Sequence, residues 1–161
     1  MKRIKLFFMD VDGTLTDGKL YIGNEGELFK AFDVKDGCGI HDILPKYNII
    51  PVIITARTSR ILEHRCKELK ISHLYQGCRN KREKMIEVAT EFNLSQNENG
   101  IIENTAYIGD DILDLQCMEI AAIKGCPLDA VDEIKKVCDF ISSRNAGSGA
   151  VREFIEWIVN N

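Results

Sequence analysis

Six cysteines are scattered along the 161 residues, at positions 38, 66, 78, 117, 126 and 138, and no two of them form a CxxC pair. Without that spacing the sequence offers no zinc site. A secretory signal is lacking too: MKRIKLFF sets basic residues before apolar ones, but Asp10 interrupts the stretch too early for a signal core. Reduced thiols and a cytoplasmic location are the expectation. Basic charge is scarce, since 21 Lys and Arg against 25 Asp and Glu leave a net charge of −4. There is no basic stripe, so no nucleic-acid partner is expected. No apolar run approaches the ~20 residues that a bilayer span requires, so no membrane is expected either. Internal repeats, low-complexity tracts and linkers are absent, and His41, His64 and His73 match no ligand pattern.

What the chain does have is an ordinary globular balance, 45% hydrophobic and 29% charged. Its length suits one domain over 1–161, with enough residues for a proper core. Strand-like apolar runs lie at 6–9, 49–54, 73–75, 106–108, 121–123 and 140–141. Helical stripes separate them: Ile61, Leu62, Arg65, Cys66 and Leu69, then Met85, Val88, Ala89 and Phe92. The last stripe is Val151, Phe154, Ile155 and Ile158, with Trp157 as a core anchor. Near-continuous apolar strands between helices predict an α/β fold, a doubly wound parallel sheet covered on both faces. One segment departs from that rhythm. Residues 19–22 and 28–32 flank Gly23-Asn24-Glu25-Gly26, which reads as a β-hairpin with a four-residue turn, inserted at about 18–33.

Doubly wound sheets bind ligands at the carboxyl ends of their strands. There LFFM leads into DVDGTLTDG, with Asp10 and Asp12 one residue apart. In extended backbone the two point to the same side, where their charges repel. A hard divalent cation reverses that sign, and oxygen is the ligand that Mg²⁺ prefers. Gly13 lets the chain leave sharply and Thr14 adds a hydroxyl. VIITARTS ends its strand in Thr55 and Arg57, with Ser59 placed to cap the next helix. LYQGCRNKREK sets Lys81 at a helix start, and AYIGDDILDL offers Asp110, Asp111 and Asp114. Each of these last three stretches has a plainer reading: a turn threonine, a solvated lysine, an acidic helix start that compensates the dipole. Their order and shared place at strand ends make the joint case. An acidic surface would also repel a phosphorylated substrate unless a cation inverted the local field.

In these residues the chain resembles the haloacid dehalogenase superfamily of phosphatases. The matching motifs are DVDGTL at 10–15, Thr55 at the end of the second sheet strand, Lys81, and GDDILD at 109–114. The resemblance implies Mg²⁺-dependent phosphomonoester hydrolysis, with Asp10 as nucleophile and Asp12 as acid and base. Thr55 and Lys81 would hold the phosphoryl oxygens. It implies a metal held by Asp10, Asp110 and the backbone carbonyl of Asp12, with Asp111 and Asp114 behind them orienting Lys81 and metal-bound water.

Most relatives carry a large cap where this chain has only the hairpin. Further stretches, RNAGSGAVREFIEWI among them, are similar to the capless sugar-acid phosphatases. That likeness implies a keto sugar acid phosphate as substrate, 3-deoxy-D-manno-octulosonate 8-phosphate first. A nine-carbon keto acid phosphate or another small phosphometabolite is the alternative. Thr55, Ala56, Arg57, Arg65 and Lys81 become its contacts, the arginines because a planar fork suits a carboxylate. Ala56 stands where relatives usually have glycine, and Arg57 where relatives acting on nine-carbon acids have an acidic residue, which favours the eight-carbon compound. Arg65 also fits a helix residue lying over the core. Lys35, Asp36 and Gly37 are expected at the pocket floor, and the Gly147-Ser148-Gly149 loop near a neighbouring site. The likeness further implies a homotetramer whose hairpins meet and whose subunits help cover each other's sites. A response-regulator receiver also gathers carboxylates, a Thr and a Lys around Mg²⁺. Its acidic groups all precede the Thr, however, whereas Asp110 follows both Thr55 and Lys81. A regulatory module descended from a phosphatase is the remaining alternative, and four intact motifs speak against it.

Overall fold

In the computed structural model, which describes residues 3–161, the opening apolar run becomes a fully buried strand, β1 (Leu6–Met9). Phe7 and Met9 enter one hydrophobic cluster, while Leu6 and Phe8 enter another on the opposite face. Burial on both faces is why the strand reads as unbroken apolar sequence. The chain then leaves the sheet for a hairpin, β2 (Tyr21–Gly23) and β3 (Gly26–Phe29). Gly23 pairs directly with Gly26, so the turn is Asn24-Glu25 alone and not the four residues expected, and both strands are shorter than predicted. Gly26 adopts φ +113°, a left-handed conformation that makes so tight a reversal cheap.

Returning to the sheet, the chain lays β4 (Ile50–Ile54) and β5 (His73–Tyr75) on one side of β1. It then crosses back to place β6 (Ile102–Ile108), β7 (Ala121–Cys126) and β8 (Phe140–Ile141) on the other. All pairs are parallel and the order is β5-β4-β1-β6-β7-β8, so β1, between β4 and β6, marks the switch point. The face of Phe7 and Met9 is covered by α1 (Val34–Cys38) with the π turn (Gly39–Ile43) and 3₁₀ turn (Leu44–Tyr47) that continue it, by α2 (Arg60–Glu68), and by α6 (Ala150–Asn160). The other face is covered by α3 (Lys81–Glu91), α4 (Ile112–Met118) and α5 (Asp132–Lys135).

β6 is longer than the predicted 106–108. Its first half, Glu103-Asn104-Thr105, is polar, Asn104 sits at φ +63°, and the register with β7 shifts between Ile102 and Ala106. A bulged, hydrophilic stretch of that kind hides a strand from any search for apolar runs. Among the described residues no helix is long and apolar enough to cross a membrane.

Candidate active site

The three central strands are in register, with Met9 beside both Ile53 and Ile108, so their carboxyl ends open on one edge. Asp10, Thr55 and Asp110 leave the sheet there, each within two residues of a strand end. Carboxylate oxygens of Asp10, Asp110 and Asp114 lie within 4.8 Å of one another. Two glycines permit that crowding. Gly13 turns at φ +90°, and a Cβ on it would sit 2.1 Å from Asp110 Oδ2; a Cβ on Gly109 would sit 2.4 Å from Asp114 Cγ. Thr14 then donates its hydroxyl to Asp110 Oδ1 at 2.8 Å.

Asp10 and Asp110, crowded at this spacing, resist ionisation. Burial, followed by the charges of Asp10 and Asp114, pushes Asp110 up to about 8. Burial and Asp114 push Asp10 up to about 6, against the opposing pull of Lys81. Lys81 opens α3 and is only 2% exposed, which removes the solvated-lysine reading. Its ammonium meets Asp10 Oδ1 at 2.7 Å and Asp114 Oδ1 at 2.8 Å. Burial works against that charge, but the two carboxylates overcome it and raise Lys81 above the ordinary lysine range. One cation among three carboxylates leaves the cluster short of positive charge. A hard divalent ion fits that deficit and that all-oxygen donor set.

The three carboxylates are not equivalent. Asp114 Oδ1 accepts from Lys81 and from the Tyr107 hydroxyl at 2.6 Å, and its Oδ2 accepts the backbone N–H of Asp110 at 3.0 Å and Asp111 at 3.2 Å. With four donors its acceptor capacity is filled, so it braces the cluster. Asp10 and Asp110 are the carboxylates left to hold an ion.

Comparison with known proteins now gives this geometry a context. No family model matches the chain. It is 38% identical to the 3-deoxy-D-manno-octulosonate 8-phosphate phosphatase of Salmonella typhi over 158 residues, which is 98% of this chain and 80% of that protein. The Escherichia coli K12 relative of the same name is 37% identical over an equal span and equal shares of both chains. The Moraxella catarrhalis enzyme, solved with a magnesium ion, a phosphate ion and the KDO molecule, superposes with a TM-score of 0.90 at 38% identity, covering 99% of this chain and 87% of that one. The cobalt-bound phosphatase of Haemophilus influenzae matches with a TM-score of 0.90 at 33% identity, covering 98% and 88%. The chain belongs to the 3-deoxy-D-manno-octulosonate 8-phosphate phosphatases, within the haloacid dehalogenase superfamily.

Other residues of this phosphatase fold fall into place around the cluster. Thr55 is buried, with its backbone N–H donating to Tyr75 and its hydroxyl accepting from the Arg57 N–H at 3.4 Å. Ala56 lies half-buried in the bend that follows. Arg57 is 44% exposed at the mouth, its Nε 3.9 Å from Asp12 Oδ2. Asp12 Oδ1 meets the ammonium of Lys30, a hairpin residue that no motif in the sequence singles out.

Two expectations shift. Asp111 does not orient Lys81: its side chain is exposed at the N-cap of α4, accepting from Ile112 N–H at 2.7 Å, and forms a capping box with Asp114. Arg65 is not at the mouth. Its guanidinium lies over Phe32, pairs with Glu68 at 3.2 Å and rests on Gly37, where a Cβ would be 2.4 Å from Nη2. It joins α2 to α1, the helix-packing role that its amphipathic position allowed. The Gly147 loop touches this chain's own site loop, with Gly147 N–H donating to Thr14 O at 3.3 Å. Tyr107 was missed because an aromatic in a buried strand reads as core; its hydroxyl partner lies seven residues on, beyond the strand.

Proposed function

We propose that the chain is a Mg²⁺-dependent phosphomonoesterase that hydrolyses 3-deoxy-D-manno-octulosonate 8-phosphate through an aspartyl-phosphate on Asp10. The observation that carries this reading is the convergence of Asp10, Asp110 and Asp114 around the buried ammonium of Lys81. The family, and a relative solved with magnesium, phosphate and KDO, support the cofactor and the substrate class. Magnesium held by Asp10, Asp110 and the Asp12 carbonyl would supply the charge neutralisation that lets a dianionic ester approach a carboxylate.

The chain's own residues then divide one slow hydrolysis into two steps. A carboxylate oxygen of Asp10 attacks phosphorus, the ester P–O bond breaks, and Asp12 gives its proton to the departing sugar oxygen. Water next attacks the same phosphorus and passes a proton to Asp12, the bond to Asp10 breaks, and inorganic phosphate leaves. Asp12 ends as it began. Lys81 and the Thr55 hydroxyl bear the charge that builds on the phosphoryl oxygens. Asp114 and Tyr107 keep Lys81 in place.

Substrate recognition falls to Arg57, half-exposed at the mouth and, among the described residues, held by no ion pair closer than 3.9 Å. A guanidinium so placed suits the carboxylate of a sugar acid. Leu20, Ile22, Leu28 and Phe29 of the hairpin are exposed, which supports a homotetramer built through the hairpins, with neighbouring subunits covering the open site. The six cysteines are free thiols, in keeping with a reducing cytoplasm.

Two measurements test the reading. Asp10→Asn keeps the shape and removes the nucleophile, so phosphate release from any ester drops to background; half the wild-type rate would sink the assignment. Among eight- and nine-carbon keto sugar acid phosphates and hexose phosphates, the highest kcat/KM belongs to the eight-carbon acid. Faster turnover of the hexose phosphates would refute the substrate.

A further inference from the structure

The hairpin has so far been only a small insertion with an apolar surface, yet its second strand ends in a charged contact with the reaction centre. Lys30 directly follows β3, and its side chain is 4% exposed. A lysine so buried needs anionic partners. It has two, Asp12 Oδ1 and, at 3.0 Å, Glu27 Oε1. Glu27 in turn accepts from the hydroxyl of Ser59, the residue that caps α2 by accepting Leu62 N–H. A polar line therefore runs from the start of α2, across the hairpin, to the carboxylate of Asp12. The other Asp12 oxygen, Oδ2, lies on the side of Arg57, which is the half-exposed side of the site.

We propose that Lys30 is a positioning residue for Asp12: by holding Oδ1 it fixes the carboxyl rotamer and presents Oδ2 to the leaving oxygen and, later, to the attacking water. This rests on the functional reading above. In the first step the proton on Oδ2 moves to the sugar oxygen as the ester P–O bond breaks. In the second a water proton returns to Oδ2 as the bond between Asp10 and phosphorus breaks. Lys30 takes no part in either proton transfer. A general acid or base contributes about 10²–10⁴ to rate, and a misplacement of about 1 Å can cost about 10² of it. The hairpin thus supplies part of the chemistry from within each chain, whatever it does between chains.

Leaving-group dependence separates this role from a structural one. An aryl oxygen departs without a proton, whereas a sugar hydroxyl needs one. In Lys30→Met, 4-nitrophenyl phosphate should give a burst of nitrophenol followed by slow turnover, because phosphorylation of Asp10 survives while its hydrolysis still needs a base. With 3-deoxy-D-manno-octulosonate 8-phosphate, kcat should fall at least about tenfold with no burst and little change in KM. Lys30→Arg, which keeps the cation, should recover most of that loss. Equal losses on both esters without a burst, or no loss at all, would overturn the proposal, since a hairpin that is merely loosened cannot distinguish leaving groups. If the wild-type chain turns over neither ester, the functional reading itself fails and takes this role with it.

Discussion

The hydroxyl of Tyr107 lies in a fully buried strand, 2.6 Å from Asp114 Oδ1, and burial together with that carboxylate holds it well above the usual phenol pKa. It therefore remains a donor at any working pH, and Lys81 is held by an aspartate that is itself held from the opposite side. Tyr107→Phe removes one charge-assisted bond without opening space. Such bonds are worth about 1.5–3 kcal/mol, so urea denaturation should show a loss of that order. kcat should fall while KM stays close to wild type, because in the proposed mechanism Asp114 acts through Lys81 rather than on the substrate. An unchanged kcat would mean that Lys81 needs no such brace. Residues of this kind mark the limit of reading a sequence at this scale. Asp10, Asp12 and Asp110 stand out in the sequence because carboxylates after apolar strands are expensive without a function. Tyr107 looks like core and Lys30 like surface, and only the folded contacts separate them from the many residues that look the same.

Between elements, the start of α6 carries a related economy. Its N-cap is Gly149, which has no side chain to offer, and the orphan N–H of Arg152 is satisfied instead by Asp36 of α1 at 2.8 Å. The other Asp36 oxygen is buried without a hydrogen-bond partner among the described residues, and burial raises the carboxyl from 3.8 to about 6. The sign of the linkage follows. Between those two values the folded chain binds more proton than the unfolded one, so wild-type stability falls as pH rises through the window and stays low above it. Asp36→Asn keeps an acceptor for Arg152 and does not titrate. Its stability relative to wild type should therefore climb by roughly 2–3 kcal/mol between pH 4 and pH 7, as read by urea titration at each pH. A constant difference across that range would show that Asp36 is not destabilised by its charge. The sequence placed Asp36 at a pocket floor. Nothing in a local pattern says that a helix 116 residues later lacks its own cap. The strands and helices themselves were legible, since their periodicity is a local property; the bulged half of β6 and the two-residue turn of the hairpin were not, because pairing partners decide them.

At the scale of the whole molecule, the hairpin is the element placed to cover the site. An isolated two-stranded hairpin is marginal in water, and this one exposes Leu20, Ile22, Leu28 and Phe29. Among the described residues it is tied to the sheet domain at its end through Lys30 to Asp12 and next to its turn through Glu27 to Ser59. In the homotetramer proposed above, these exposed apolar side chains, on a ribbon beside the active-site mouth, would pack against copies of the same hairpin. Lysine at both Ile22 and Leu28, whose side chains are exposed, would place like charges at that contact while keeping the anchoring residues Glu27 and Lys30 themselves. Sedimentation velocity should then show a tetramer for the wild-type chain and a monomer for the double variant. The monomer should keep its circular dichroism spectrum but show a raised KM for the sugar acid phosphate, since the walls that neighbours would contribute in the proposed tetramer are gone. KM for 4-nitrophenyl phosphate, which asks little of those walls, should move much less. A double variant that stays tetrameric would place the interface elsewhere. A monomeric wild-type chain with full activity would mean that the hairpin, through Lys30 alone, makes the site complete.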